Sequence, residues 1–193
     1  MTKYSHEPDD YKCPFCAIVA GKIVPYAWTM PEEVVLREKN VTCWISMKWW
    51  KHNPGHVIVV PNKHIENMYT LPKTTAGEIH EVAKRVALAM KDAYGCDGVS
   101  TRQHNEPHGD QDVWHYHLHV FPRFENDRLY ERHREMWFPS VAERVTYAER
   151  LRTALGIEGV PAVLSAKEKT TKRASKQESD AVEMNAESPE KDA

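Results

Sequence analysis

Hydrophobic and polar positions alternate most strictly over Trp114-His115-Tyr116-His117-Leu118-His119-Val120. Successive side chains of an extended strand point to opposite faces. The pattern therefore predicts a strand with Trp114, Tyr116, Leu118 and Val120 toward a core and His115, His117 and His119 together on the other face. Val57-Ile58-Val59-Val60 is a continuous apolar run suited to a buried strand, ended by Pro61. Shorter strands are predicted at Val34 to Arg37 and Val41 to Ser46, with a turn near Lys39-Asn40, and at Val99 to Gln103. The clearest helix opens on Thr75-Ala76-Gly77-Glu78, which fits a capping box. Ile79, Val82, Ala83, Val86, Met90 and Ala93 then recur at helical spacing, and Gly95 is placed to cap the end. A second box, Ser140-Val141-Ala142-Glu143, starts a helix with Val145, Ala148, Leu151 and Leu155 as its stripe and Gly156 as its stop. Ala17 to Ala20 suits a helical turn. Met47 to Pro54 and His104 to Asp112 read as loops, and Arg123 to Phe138 is charged and aromatic without a clear period.

From about Ser165 the pattern lapses: Val182 and Met184 are the only sizeable apolar residues. Such a segment cannot bury enough surface to offset its ordering entropy. The expected organisation is a flexible N-terminus at 1–12, one domain with a helical extension at 13–158, and a disordered charged tail at 159–193. A chain of 193 residues is long enough for one such core. The formal net charge of -2 gives no reason to expect a specific nucleic-acid partner. No apolar run approaches the roughly 20 residues of a membrane span, and the N-terminus lacks the apolar stretch of a signal peptide. A cytoplasmic protein is expected. Cys43 and Cys96 stand alone in apolar surroundings and read as buried thiols.

Imidazoles aligned on one strand face can bind a metal, bind anions, or offer one ring as a nucleophile. Cys13-Pro14-Phe15-Cys16 is open between two uses. A redox CxxC belongs between a strand and a helix of a βαβ unit, and no such pattern surrounds it. Half of a structural zinc site needs two further Cys or His ligands.

The run His115 to Phe121 matches the HxHxH pattern of the histidine-triad superfamily. Gly55-His56-Val57-Ile58-Val59-Val60-Pro61-Asn62-Lys63-His64 resembles its strand motif ending in Pro-x-x-His. Asn105 and Gln111-Asp112-Val113 resemble its Asn-loop-Gln-Ser/Thr-Val segment. The likeness extends from about Cys13 to Phe124 and is to the nucleotide-binding and dinucleoside polyphosphate hydrolase branches. It implies an α+β fold with about five antiparallel strands, a long helix and a homodimeric assembly. It also implies hydrolysis or transfer at the α-phosphate of a purine nucleotide, a dinucleoside polyphosphate or a nucleoside phosphoramidate. By this resemblance His117 is the nucleophile and forms a covalent nucleotidyl intermediate. His119 and His56, when protonated, neutralise phosphate charge, and Asn105 and Gln111 donate hydrogen bonds to phosphate or leaving group. Ser46 stands nearest to the family's ribose-holding aspartate, and Asp112 replaces its Ser or Thr. Trp44, Trp49 and Trp50 suit either base stacking or packing. Bacterial relatives that carry the CxxC complete a zinc site with the Pro-x-x-His histidine and the first triad histidine, here Cys13, Cys16, His64 and His115. Magnesium, where required, enters with a polyphosphate substrate. Phe121-Pro122-Arg123 resembles the dinucleoside polyphosphate hydrolases more than the phosphoramidases. The other readings are a nucleotide-binding regulatory protein with little turnover and a zinc-binding interaction module. His6, His52, His80, His104, His108 and His133 are expected at the surface.

Overall fold

The structure is a computed structural model that describes residues 4–132 and 134–163. The basic and acidic runs of the expected tail lie outside the described residues. The chain opens with helix α1 (Pro14–Val19), then strands β1 (Val34–Arg37), β2 (Val41–Ile45), β3 (Trp49–Trp50) and β4 (Val57–Pro61). The long helix α2 (Lys73–Tyr94) follows, then β5 (Gly98–Gln103), β6 (Leu118–Arg123), β7 (Met136–Trp137) and helix α3 (Val141–Ala154). Five strands form an antiparallel sheet in the order β1-β2-β4-β6-β5, and β3 and β7 form a separate ribbon. This is the mixed helix and sheet architecture expected from the sequence.

Register sorts the side chains between two layers. Ile58 faces Trp44 on one side and His119 on the other, and His119 faces Arg102 on β5. Residues directly opposite one another share a face, so Trp44, Ile58, His119 and Arg102 point the same way. Cys43, Ile45, Val57, Val59, Leu118 and Val120 point the other way and pack with Ile79, Val82, Val86 and Met90 of α2. Burial of each such side chain contributes about 1.5–3 kcal/mol. The short α1 covers part of the opposite face, where Phe15 and Ile18 pack with Trp44, Ile58 and Val60. Cys43 and Cys96 are buried as expected.

Two element starts differ from the sequence pattern. Helix α2 begins at Lys73, with Pro72 at the cap and no side-chain cap bond, so Thr75 does not cap it. Proline has the φ of a helix entry already set and no N–H to satisfy, and the helix starts directly behind it. Strand β6 begins at Leu118 rather than at Trp114. The β4–β6 ladder ends with Val59 opposite Leu118, two residues short of the end of β4 at Pro61. Residues 114–117 are released from the sheet, and Trp114 is half-buried instead of lying in the core.

Helix α3 has the expected capping box: Glu143 N–H donates to Ser140 Oγ at 3.3 Å, and Ser140 N–H donates to Glu143 Oε2 at 2.8 Å. Two arginines beside its apolar stripe are buried. Arg144 donates to both oxygens of the buried Glu33 at 2.7 and 2.9 Å, and Arg152 donates to the Val34 carbonyl at 2.7 Å. These bonds fasten α3 to the start of β1.

The segment without a period is organised by Asp127. Its carboxylate accepts from Arg123 Nε and Nη2 at 2.7 Å each and from Asn53 Nδ2 at 2.7 Å. It also accepts the backbone N–H groups of Phe124 and Leu129 at 2.9 and 3.1 Å. The Arg123 guanidinium, then the backbone and Asn53 donors, hold this carboxyl well below the usual range. A carboxylate with a depressed pKa stabilises the fold above its unfolded value of about 3.9, and that contribution fades as pH falls toward the folded value. Asp127→Asn is expected to lose about 2–3 kcal/mol at pH 7 and to flatten the acid limb of stability below about pH 4. Urea unfolding between pH 7 and pH 2.5 measures both; an unchanged acid slope in the variant contradicts this role.

Candidate active site and metal cluster

Gly55 turns the chain into β4 at φ 78°, and a Cβ there would meet the Tyr147 ring at 2.2 Å. Only glycine fits the turn. It delivers His56 to the sheet beneath β6. His56 is buried, stacked on Phe121 at 4.4 Å between centroids, with Trp50 edge-on at 5.5 Å. His56 Nε2 lies 3.2 Å from His119 Nδ1. The His119 ring lies 4.9 Å from that of His117, so the rings run His56, His119, His117 along the face.

His117 is 2 % exposed, and its Nδ1 sits 2.8 Å from the His115 carbonyl oxygen. A carbonyl only accepts, so Nδ1 carries the hydrogen and the Nε2 lone pair is free. The Phe15 ring meets His117 edge-on at 5.3 Å and fixes the imidazole plane. Burial pushes the His117 pKa down, while the His115 carbonyl and the exposed Asp112 oppose the shift. Burial also lowers His56 to about 3, with Arg102 and His117 adding to it. His119 is held well below the usual value by burial, then by His117 and His56. Burial therefore disfavours the protonated forms of His119 and His56. Without an anion in the site both rings are neutral at pH 7 and act as N–H donors.

The loop between β5 and β6 is held by its own amides. Gln111 Nε2 donates to the carbonyls of Glu66 and Val113 at 2.6 and 3.0 Å, and its Oε1 accepts Glu106 N–H at 2.9 Å. Asn105 Oδ1 accepts Met68 N–H at 2.9 Å, and its Nδ2 donates to Gln103 at 2.8 Å. Both amides shape the loop; Gln111 has both N–H donors engaged within the protein, and Asn105 has one of its two engaged. Ser46 Oγ donates to the Lys48 carbonyl at 3.2 Å, closing a turn, and Ser46 N–H donates to the His56 carbonyl at 2.9 Å. Trp44 packs on Phe15 and Trp49 on Tyr147 and Trp137. Packing, not base stacking, accounts for those two rings.

The first triad histidine does not join the others. Released from the sheet, His115 turns toward α1, where its Nδ1 lies 3.3 Å from Cys13 Sγ and 3.6 Å from Cys16 Sγ. His64 Nδ1 lies 3.2 Å from Cys16 Sγ. The four donor atoms of Cys13, Cys16, His64 and His115 all fall within 4.8 Å of one another. A tetrahedral zinc ion takes this donor set. Each imidazole is also oriented from behind. His115 Nε2 faces the Pro61 carbonyl at 2.9 Å, and His64 Nε2 faces Glu7 Oε2 at 2.6 Å. A carbonyl or carboxylate on one ring nitrogen leaves the lone pair of the other aimed at the metal, the usual support of a zinc-bound histidine. The hydrogen bond between the two thiols, with His115 and His64, pulls Cys13 down and pushes Cys16 up, so in the metal-free pair one proton stays on Cys16 and a bound metal would displace it. These residues fit zinc.

Sequence reasoning brought together His56, His117 and His119, and the four cluster residues, but missed Arg102 and His104. The guanidinium carbon of Arg102 lies 5.2 Å from the centroid of Trp50 and 5.3 Å from that of Phe121. His104, expected at the surface, is half-buried with its ring 6.0 Å from His119. Only strand register, which puts Arg102 opposite His119, carries that signal.

The chain matches the HIT domain model over residues 29–126. It is 30% identical over 112 residues to "Protein hit" of Bacillus subtilis, covering 58% of this chain and 71% of that one. It is 30% identical over 82 residues to the bis(5'-adenosyl)-triphosphatase of Dictyostelium discoideum, covering 40% of this chain and 55% of that one. Among solved structures, a Zn-bound histidine triad family protein from Mycobacterium smegmatis superposes with a TM-score of 0.62 at 27% identity, over 75% of this chain and 94% of that one. With a matched domain over half its length and its signature histidines in place, the chain belongs to the histidine triad, or HIT, family.

Proposed function

We propose that this protein is a nucleotidyl hydrolase or transferase acting at the α-phosphate of a dinucleoside polyphosphate or a nucleoside phosphoramidate. The observation that carries the reading is the 2.8 Å hydrogen bond from His117 Nδ1 to the His115 carbonyl, which leaves Nε2 as an oriented lone pair. A neutral imidazole is a competent nucleophile at pH 7 without a separate base. Its lone pair forms a bond to phosphorus, and the bond from phosphorus to the leaving group breaks with its electron pair. The leaving group departs as a phosphate anion, or takes a proton from solvent and leaves as an amine. Water then attacks the same phosphorus and gives up a proton to solvent, the phosphorus–nitrogen bond breaks, and the lone pair returns to His117 as the nucleoside monophosphate leaves. His119, with an imidazole partner in His56 at 3.2 Å, is placed to donate an N–H to the phosphoryl oxygens. The triphosphatase name of the Dictyostelium relative supports the substrate class.

Zinc held by Cys13, Cys16, His64 and His115 supplies structural restraint, fixing the chain just ahead of His117. Any magnesium arrives on a polyphosphate substrate.

Diadenosine triphosphate and adenosine phosphoramidate, each incubated with the wild-type protein, test the activity. Release of AMP from at least one, above the rate without protein, is expected. AMP binding without release would leave a nucleotide-binding regulator instead.

A further inference from the structure

Arg102 faces His119 across the β5–β6 ladder, so the two side chains leave the sheet on the same face. Its guanidinium rests against the rings of Trp50 and Phe121, which also hold His56. Cation–π contact of this kind fixes the guanidinium while its N–H edges stay available. The other arginines packed into the fold have acceptors. Arg144 holds Glu33, Arg123 holds Asp127, and Arg37 donates to the Ile18 and Val19 carbonyls. The Arg102 side chain makes no hydrogen bond or ion pair among the described residues, and its Nε is buried without a partner. A half-buried cation without an acceptor is costly unless a ligand supplies the acceptor. The rings of His117 and His119 lie 4.9 Å apart, and Arg102 stands level with the second across the ladder. A ligand whose charge extends beyond the attacked phosphate supplies the acceptor that Arg102 lacks.

We propose that Arg102 is a second anion subsite, which holds a further phosphate group of the substrate and so selects nucleoside polyphosphates over single-phosphate nucleoside phosphoramidates. This role rests on the reading of His117 as the nucleophile.

The test compares wild type, Arg102→Gln and Arg102→Lys on diadenosine triphosphate and adenosine phosphoramidate. Arg102→Gln is expected to lose on the order of 10- to 100-fold in kcat/KM on the triphosphate, the value of a charge-assisted bidentate contact, and less than about 3-fold on the phosphoramidate. Arg102→Lys, which keeps the charge, retains most of the triphosphate activity. Equal losses on both substrates, or none on either, overturn the subsite. Protection against thermal unfolding by inorganic tripolyphosphate is read in parallel and needs no turnover; it is expected in wild type and absent in Arg102→Gln. Without turnover of either substrate, Arg102-dependent protection keeps the subsite while the hydrolase reading falls. Turnover with no dependence on Arg102 does the reverse.

Discussion

Replacing His117 with alanine is expected to lower kcat for AMP release by at least about 10⁴-fold, the scale on which an enzyme loses a nucleophile. AMP affinity is expected to change little, because the lost ring contacts phosphorus only while the bond forms. The size follows from the geometry. The His115 carbonyl fixes one tautomer, Phe15 fixes the ring plane, and no second side chain in the row is oriented the same way. His119 Nδ1 is already engaged with His56. His119→Ala is expected to cost less, about 10²-fold, because it removes one hydrogen-bond donor to the transition state. Steady-state kinetics on both variants, with AMP binding by calorimetry, separates the roles. If His117→Ala turned over at a tenth of the wild-type rate, the nucleophile would have to be another group.

The second large effect is at the metal cluster. Cys16→Ser, or stripping of zinc by a chelator, is expected to lower Tm by roughly 10 °C, taking about 3–5 kcal/mol for the loss of a structural metal from a fold with an independent core. Zinc finger peptides lose everything without metal, but here the α2 face of the sheet holds its own apolar core. What depends on the ion is local. Cys13 and Cys16 sit on the segment that carries Phe15 against His117, and His115 supplies the carbonyl that sets the His117 tautomer. Activity is therefore expected to fall with zinc while the sheet stays folded. Elemental analysis should give one zinc per chain, and Cys16→Ser close to none. Hydrogen exchange should speed up at residues 13–20 and 113–117 and stay slow in α2. A chelated protein with unchanged Tm and unchanged exchange contradicts a structural zinc.

Much of this was legible in the sequence because it rests on periodicity. Alternation marked the strand carrying His119, with His117 just ahead of it, and helical spacing marked α2 and its Gly95 cap. Residue chemistry and family resemblance together marked Cys13, Cys16, His64 and His115. What stayed hidden depends on partners far along the chain. The alternation runs unbroken back to Trp114, yet the ladder to β4 stops at Leu118 opposite Val59. That break sends His115 to the metal cluster and leaves His117 and His119 as a pair. Strands β3 and β7 are two residues each, too short for any period. Asp127, Glu33 and Arg144 carry no periodic signal in the sequence, and each is buried among polar partners distant along the chain. Gln111 matched the family motif by position, but only the hydrogen bonds showed its amide engaged within the loop.

The most direct test is to trap the intermediate. Wild-type protein is mixed briefly with a dinucleoside polyphosphate labelled at the α-phosphorus, quenched in alkali where a phosphorus–nitrogen bond survives, digested and mapped. The label is expected on the peptide carrying His117, at that ring, and absent from His117→Ala. Label on another residue, or turnover without any labelled peptide, contradicts attack by His117.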